Sequence, residues 1–169
     1  MALRRIKVGI DASRNRSGGA KAHIIGILNS INPEEHDISE VHVWTYRSLA
    51  ESLPNSKWLI KHTPKELEQS VLRQMWWQFH SLNKEIKDTG CDVILNTGAS
   101  SLCRFKPSVT MSRDMLSFEK GEMQRYPLMS KPRIRLIIIK YLQIYALKSA
   151  SGVIFLTKYA AKEIIKHTG

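Results

Sequence analysis

Short strand-like runs alternate with longer helical segments along this chain, and that order constrains the fold more than any other feature. The strand-like runs cover residues 5–11, 41–46, 57–61, 92–95, 108–111 and 152–156. Because helical segments separate most of them, the sequence predicts an α/β, Rossmann-like domain with a mostly parallel sheet and helices on both faces. A length of 169 residues suits a single domain, 1–169.

Apolar residues at helical spacing predict helices over residues 20–30, 63–90, 133–149 and 159–167. In the second helix, Thr63 is the predicted N-cap, Pro64 lies in the first turn and Gly90 ends the helix. Its predicted core stripe is Leu67, Val71, Leu72, Met75, Phe79, Leu82 and Ile86, with Trp76 joining it. Trp77 lies off this stripe beside cationic residues, so it is expected to be exposed or to cap the edge of the core.

The helix over residues 133–149 is apolar around most of its surface. This pattern favours a helix buried between the sheet and a neighbour over an amphipathic membrane helix. Arg135 and Lys140 interrupt its apolar run, so it does not predict a membrane span.

The charge is unusually basic, with 26 Lys and Arg residues against 15 Asp and Glu residues, a net charge of +11. This balance indicates an anionic partner (a nucleotide, a nucleic acid or an acidic membrane surface) or else a basic but inert surface. The cations are spread along the chain without a nucleic-acid-binding motif, so nucleic acid is disfavoured. A cytoplasmic protein, with possible peripheral contact to the inner face of a membrane, is expected.

The two cysteines and six histidines show no metal-ligand spacing. We therefore expect free thiols in a reducing compartment and no metal site.

The loop at residues 12–19, after the first predicted strand, is a candidate site for a phosphate or a sugar hydroxyl. Gly18 and Gly19 let a ligand approach the backbone, and the following helix offers free N–H groups and the positive end of its dipole. Arg14 and Arg16 add full charges. The glycine spacing of dinucleotide-binding folds and P-loops is absent. A turn that requires glycine is the alternative interpretation.

Polar residues also follow three later strands, where an open parallel sheet binds its ligands. The candidates are Asn96 and Thr97, then Ser112, Arg113, Asp114 and Glu119, then Thr157. Asn96 and Thr97 suit hydrogen bonds to a sugar or the capping of the next element. Arg113 and Asp114 can orient a hydroxyl, hold an anion or accept a proton, or else form a surface ion pair. For Thr157 an N-cap is the favoured role.

Four motifs follow one another over almost the whole chain. They are Gly18-Gly19 followed by His23, the run GCDVI at 90–94, the strand 108–114 ending in Arg113-Asp114, and a basic helix followed by ASGVIFLT at 150–157. This ordered set resembles the retaining GT-B glycosyltransferases often called family four, whose N-terminal, acceptor-side domain is one Rossmann-like half of the fold.

The resemblance implies roles for several residues. Gly18 and Gly19 would face the donor diphosphate or the acceptor across an inter-domain cleft, Asp114 would lie near the reacting sugar, and Thr157 would lie at the cleft rim. Arg113 stands where many relatives have a histidine that contacts the donor sugar, so that contact is lost or made differently here.

The resemblance also implies a partner, because such enzymes carry a C-terminal domain that holds most contacts to the nucleotide-sugar. That domain is absent from this sequence, so we expect the chain to be inactive alone. The complete enzyme would move a sugar from a nucleotide-sugar of unknown base to a sugar or glycolipid acceptor, with no obligatory cofactor. A stand-alone module that binds a nucleotide or a phosphorylated metabolite is the alternative.

Overall fold

A parallel sheet forms the centre of the fold in the computed structural model, which describes residues 4–16, 18–119 and 121–169. Its strands in the described residues are β1 Ile6–Asp11, β2 Ile38–Trp44, β3 Leu59–His62, β4 Val93–Asn96, β5 Ser108–Ser112 and β6 Gly152–Phe155. Their order is β3-β2-β1-β4-β5-β6, and every neighbouring pair is parallel. The predicted α/β, Rossmann-like architecture is confirmed.

Helices connect the strands and flank the sheet. They are α1 Gly18–Ser30, α2 Arg47–Ala50, α3 Val71–His80, α4 Leu82–Asp88, α5 Lys131–Ser149 and α6 Lys158–Thr168. Short 3₁₀ turns lie at Pro33–His36, Lys65–Glu68 and Met123–Arg125. As predicted, Thr157 caps α6, because its hydroxyl accepts a hydrogen bond from the Ala160 N–H at 3.0 Å. Gly90, with φ of 71°, follows the end of α4.

The helices divide between the two faces because the chain reverses its direction along the sheet after β3, where it crosses over to β4 on the other side of β1. The crossovers from β1 to β3 move one way along the sheet and those from β3 to β6 move the other. Right-handed crossovers in opposite directions place their helices on opposite faces. The α3–α4 segment accordingly packs on the face that carries Gly9, Asp11 and Trp44.

Two tryptophans and one carboxylate hold α3 and α4 to the sheet. Trp44 of β2 and Trp77 of α3 are both fully buried. Their indole N–H groups donate to the two oxygens of Glu85 in α4, each at 2.8 Å. A carboxylate that accepts two indole hydrogen bonds fixes both rings, and hydrogen bonds to a charged group stabilise more than neutral ones.

The structure corrects the prediction for residues 63–90. Thr63 and Pro64 precede a 3₁₀ turn, and the chain is extended at Gln69 and Ser70 before α3 begins. This break resets the helical phase, so Trp77 is buried while Val71, Leu72, Trp76 and Phe79 are exposed. Gln74 and Gln78 take the buried positions that the apolar stripe predicted for other residues.

The helix predicted over residues 133–149 is α5, and the described chain covers only one of its sides. One side of α5 is buried, at Leu136, Gln143, Ala146 and Leu147. The opposite side exposes large apolar groups to solvent, namely Ile134, Ile137, Ile138, Tyr141 and Tyr145. Within the described residues, no helix is both long and apolar enough to span a bilayer.

Both cysteines are free thiols in the described part of the chain. Burial raises the pKa of Cys91 and raises the pKa of Cys103 to about 12. Both groups are therefore protonated and poorly nucleophilic at neutral pH.

Substitution of Gly9 tests how tightly the centre of the sheet is packed. A Cβ there would lie 3.0 Å from Ile94 Cδ1 and 3.2 Å from Trp44 Cζ3. We expect Gly9→Ala to lower the free energy of unfolding by about 1–3 kcal/mol, measured by urea denaturation, because overpacking forces core groups apart.

Gly152→Ala is the matched control. The added Cβ in β6 would meet Val109 Cγ2 at 3.8 Å, an ordinary contact. This variant is expected to be neutral or more stable by about 0.5 kcal/mol. Equal losses in the two variants would contradict the packing described here.

Candidate functional site

The carboxyl edge of the sheet is organised around Asp11, the last residue of β1. One carboxylate oxygen accepts from the Ser13 N–H at 3.1 Å and from the Ser13 hydroxyl at 2.6 Å. The other oxygen accepts from the Gln78 amide at 2.9 Å and from the Ser101 hydroxyl at 2.7 Å. Asp11 is 3% exposed, so these bonds join β1 to α3 and to the loop after β4 with little competition from water.

The loop after β1 is fixed by Asn15, which is fully buried. Its amide N–H₂ donates to the Ala20 carbonyl at 3.0 Å, and its side-chain oxygen accepts from the Thr97 hydroxyl at 2.6 Å. Its backbone carbonyl accepts from the Tyr46 hydroxyl. The crevice between β1 and β4, where a Rossmann fold binds dinucleotides, is therefore crossed by hydrogen bonds within the protein.

The start of α1 opens onto a cavity of about 510 Å³. Gly18 has φ of 56°, a conformation that glycine adopts without strain. Gly19 is exposed, and no described atom lies within 4 Å of a Cβ built on it. His23, Arg113 and Asp114 line the same cavity. The structure thus brings together two of the predicted loops, one after β1 and one after β5.

Arg113 is partly buried beside this cavity and weakly held. Its guanidinium donates to the Ala20 carbonyl and to the Asn15 side-chain oxygen, both at 3.4 Å. Its Nε is buried with no hydrogen-bond partner among the described residues. Burial lowers the pKa of Arg113. A partly desolvated guanidinium with weak partners favours binding of an anion.

Asp114 lies next to Arg113 and is exposed. One of its carboxylate oxygens accepts from the Leu116 N–H at 2.9 Å. Its backbone carbonyl accepts from the Gln143 amide at 3.2 Å. This second bond fixes the loop to α5 and leaves the carboxylate at the cavity wall.

A larger cavity of about 900 Å³, which we call the α3–α5 cavity, lies beside the first and shares Arg113 and Asp114 with it. Arg14 enters it with an Nε that is buried and unpartnered among the described groups. Burial lowers the pKa of Arg14, Asp11 opposes that shift, and Arg16 adds to it. Lys131 and Arg135 also line the cavity, so four cations face one carboxylate.

Several predicted site residues instead serve the fold. Arg16 donates to the Leu67 carbonyl, and its guanidinium carbon lies 4.8 Å from the centre of the Tyr46 ring. Thr97 is buried and bonded to Asn15, and Thr157 caps α6. Glu119 accepts from the Tyr159 hydroxyl at 2.9 Å.

Asn96 and Ser112 are buried at the ends of β4 and β5. The Asn96 amide donates to the Thr110 hydroxyl at 3.2 Å. The Asn96 side-chain oxygen and the Ser112 hydroxyl have no hydrogen-bond partner within residues 4–16, 18–119 and 121–169. Neither residue lines either of the two cavities.

Sequence reasoning gave Arg14 a charge in the loop after β1 but did not place it in the α3–α5 cavity, and it gave no site role to Lys131, Arg135 or Gln143 and none beyond a motif to His23. The basic loop sequence drew attention to Arg14, and His23 belongs to the Gly-Gly-x-x-x-His motif. The three α5 residues carry no local signal, because their position at the cavity depends on how α5 packs.

No group of three or more His, Cys, Asp or Glu residues in the described chain could hold a metal ion. Comparisons of the chain with protein-family models, with curated proteins and with solved structures found no match.

Asp11 is the group to change in order to test how the site is held. Asp11→Asn puts an amide N–H₂ against the donors of Gln78 or Ser13. We expect a loss of about 2–4 kcal/mol in unfolding free energy, because buried donors lose a charged acceptor. Ser101→Ala removes one donor to Asp11 and the acceptor of the Cys103 N–H, and it is expected to cost about 1 kcal/mol because three donors to the carboxylate remain. If Asp11→Asn costs no more than Ser101→Ala in urea denaturation, Asp11 does not organise this edge.

Proposed function

We propose that this chain is the acceptor-side half of a retaining GT-B glycosyltransferase. The complete enzyme moves a sugar from a nucleotide-sugar to an acceptor hydroxyl, and a second Rossmann-like domain supplies most of the nucleotide contacts. One observation carries the proposal: the open start of α1 at Gly19 and the Arg113–Asp114 pair line a single cavity at the carboxyl edge of the sheet. Ligands of open parallel sheets bind at this edge.

The start of α1 is suited to bind the donor diphosphate. The first N–H groups of a helix are free to bind an anion, and the helix dipole adds partial positive charge. Gly19 has no side chain to block that approach, and Arg113, whose guanidinium contacts the Ala20 carbonyl in the first turn of α1, supplies a positive charge in the same lining. In this proposal Arg113 replaces the histidine of many relatives by holding an anionic or hydroxyl oxygen.

The acceptor and the reacting sugar belong near Asp114. Its carboxylate can accept a hydrogen bond from a sugar hydroxyl, and its position is fixed through Gln143. In the transfer, the acceptor oxygen forms a bond to the anomeric carbon, and the bond from that carbon to the diphosphate oxygen breaks. The nucleoside diphosphate leaves with the electron pair of that bond, and its leaving oxygen accepts the proton of the acceptor hydroxyl.

A stand-alone nucleotide-binding module is the second candidate. The strand order β3-β2-β1-β4-β5-β6 is that of dinucleotide-binding domains, which favours it. Against it, β2 ends at Trp44 without an acidic residue for a ribose, and hydrogen bonds among Asn15, Thr97 and Tyr46 cross the usual crevice. The two candidates differ in how tightly the chain alone binds a nucleotide.

Gly19→Asp tests the glycosyltransferase proposal. The chain is combined with its second domain, and release of nucleoside diphosphate is followed over a panel of nucleotide-sugars. We expect the variant to lose activity by about 100-fold or more, because a carboxylate at the helix start repels the diphosphate where the amides would bind it. Folding should be retained, since an acidic residue in the first turn of a helix is favourable.

Gly26→Asp is the matched control, because Gly26 is an exposed glycine of the same helix with no described atom near its added Cβ. It adds the same charge away from the cavity and should keep normal turnover. Normal turnover in folded Gly19→Asp, or equal losses in both variants, would contradict the assignment of this cavity to the donor.

A further inference from the structure

The α3–α5 cavity combines two surfaces of different chemistry. Its walls are apolar, with Val71 and Met75 from α3 and Ile134, Ile138 and Leu142 from α5. Val71 is 56% exposed, Ile134 42% and Ile138 53%. Exposure of apolar side chains of this size to water is unfavourable, so a ligand or partner that covers them gains binding free energy.

The lining of the cavity is also cationic, because Arg14, Arg113, Lys131 and Arg135 belong to it. Arg14 and Arg113 are partly buried, and the Nε of each has no hydrogen-bond partner in the described residues. The described side chains place no carboxylate within ion-pair distance of either guanidinium, and Asp114 is the one acidic residue in the lining. Unpaired guanidinium groups in a partly dry site match a phosphate, which accepts several charge-assisted hydrogen bonds.

A ligand that matches only one of these two surfaces leaves the other without a binding partner. A free phosphorylated metabolite would satisfy the arginines and leave the apolar walls in water. A neutral lipid would cover the walls and leave the arginines unpaired. A ligand that carries both an anionic head and an apolar chain satisfies both, and a volume of about 900 Å³ holds a ligand of that size.

We propose that the α3–α5 cavity binds an amphiphile with a phosphate head and an apolar chain, with the head at Arg14 and the chain between α3 and α5. Arg113, which lines both cavities, stays with the donor diphosphate of the proposed function. The role of the amphiphile as the acceptor rests on the proposed glycosyltransfer, but its binding does not. The phosphate anchors the head, and a hydroxyl on the same head receives the sugar near Asp114.

The direct test is calorimetric titration of the full chain with decyl phosphate below its micelle-forming concentration. Inorganic phosphate and decanol are titrated in parallel. We expect decyl phosphate to bind at least about tenfold more tightly than either, because only decyl phosphate reaches both surfaces. Equal affinity for inorganic phosphate would assign the site to a free phosphate and overturn the amphiphile.

Neighbouring residues of α5 provide matched variants. Ile138 lines the cavity, whereas Ile137 is exposed on the same helix and outside it. Ile138→Asn should weaken decyl phosphate about tenfold, and Ile137→Asn should leave it unchanged. Arg135→Gln should weaken binding, whereas Lys148→Gln, which removes an exposed charge outside the cavity, should not. Val71→Asn repeats the test from the α3 wall should an α5 variant fail to fold.

Binding to vesicles of phosphatidylglycerol and phosphatidylcholine separates the cavity from a membrane-facing surface. If Ile137→Asn weakens vesicle binding as much as Ile138→Asn and decyl phosphate does not bind, a bilayer covers this face and the cavity proposal is wrong. If decyl phosphate does not bind but the two-domain enzyme glycosylates a soluble acceptor, the amphiphile proposal is wrong and the proposed glycosyltransfer stands. Tight decyl phosphate binding without any glycosyltransfer would leave the ligand class standing and reject the proposed function.

Discussion

The hydrogen bonds to the buried Asp11 carboxylate are the interaction on which the site depends. They join the end of β1 to Ser13 in the next loop, to Gln78 of α3 and to Ser101 after β4. A buried carboxylate must be satisfied by donors, since an unpaired charge in the interior costs several kcal/mol. Three segments far apart in the sequence are therefore held at one point of the sheet edge.

The need for donors at Asp11 also explains the unusual α3. Gln78 must face inward to reach the carboxylate, so this side of the helix carries polar groups into the protein. The apolar residues Leu72, Trp76 and Phe79 are then left on the outward side. Large apolar groups that are exposed together commonly mark a surface that a partner or ligand covers. The buried contact of Gln78 and the apolar outward side of α3 are thus two consequences of one orientation of the helix.

Much of the fold could be predicted from the sequence because its signals are local. Alternating strands and helices predict the parallel sheet, and Thr157 predicts the start of α6 by its own hydroxyl. The phase of α3 could not be read in this way, because the break at Gln69 and Ser70 has no strong local signal. The contact that places Gln78 inside comes from a residue 67 positions away.

The same distinction holds for the candidate site. Gly19, Arg113 and Asp114 could be predicted because parallel strands place their carboxyl ends along one edge, and the structure brings these residues to one cavity. Arg16 has the right charge in the right loop, but its contacts with Leu67 and Tyr46 turn it elsewhere. Lys131 and Arg135 reach the cavity only through the packing of α5, which residue type and spacing do not encode.

The central proposal is that this chain holds only part of a nucleotide-sugar site. Calorimetric titration of the chain alone with UDP and with GDP, at an ionic strength near 0.15 M to screen non-specific attraction, tests it most directly. We expect dissociation constants of about 1 mM or weaker, because only the start of α1 and Arg113 are available to the diphosphate. Dissociation constants of about 1 μM or tighter would show a complete nucleotide site in this chain and would contradict the account in favour of a stand-alone binding module.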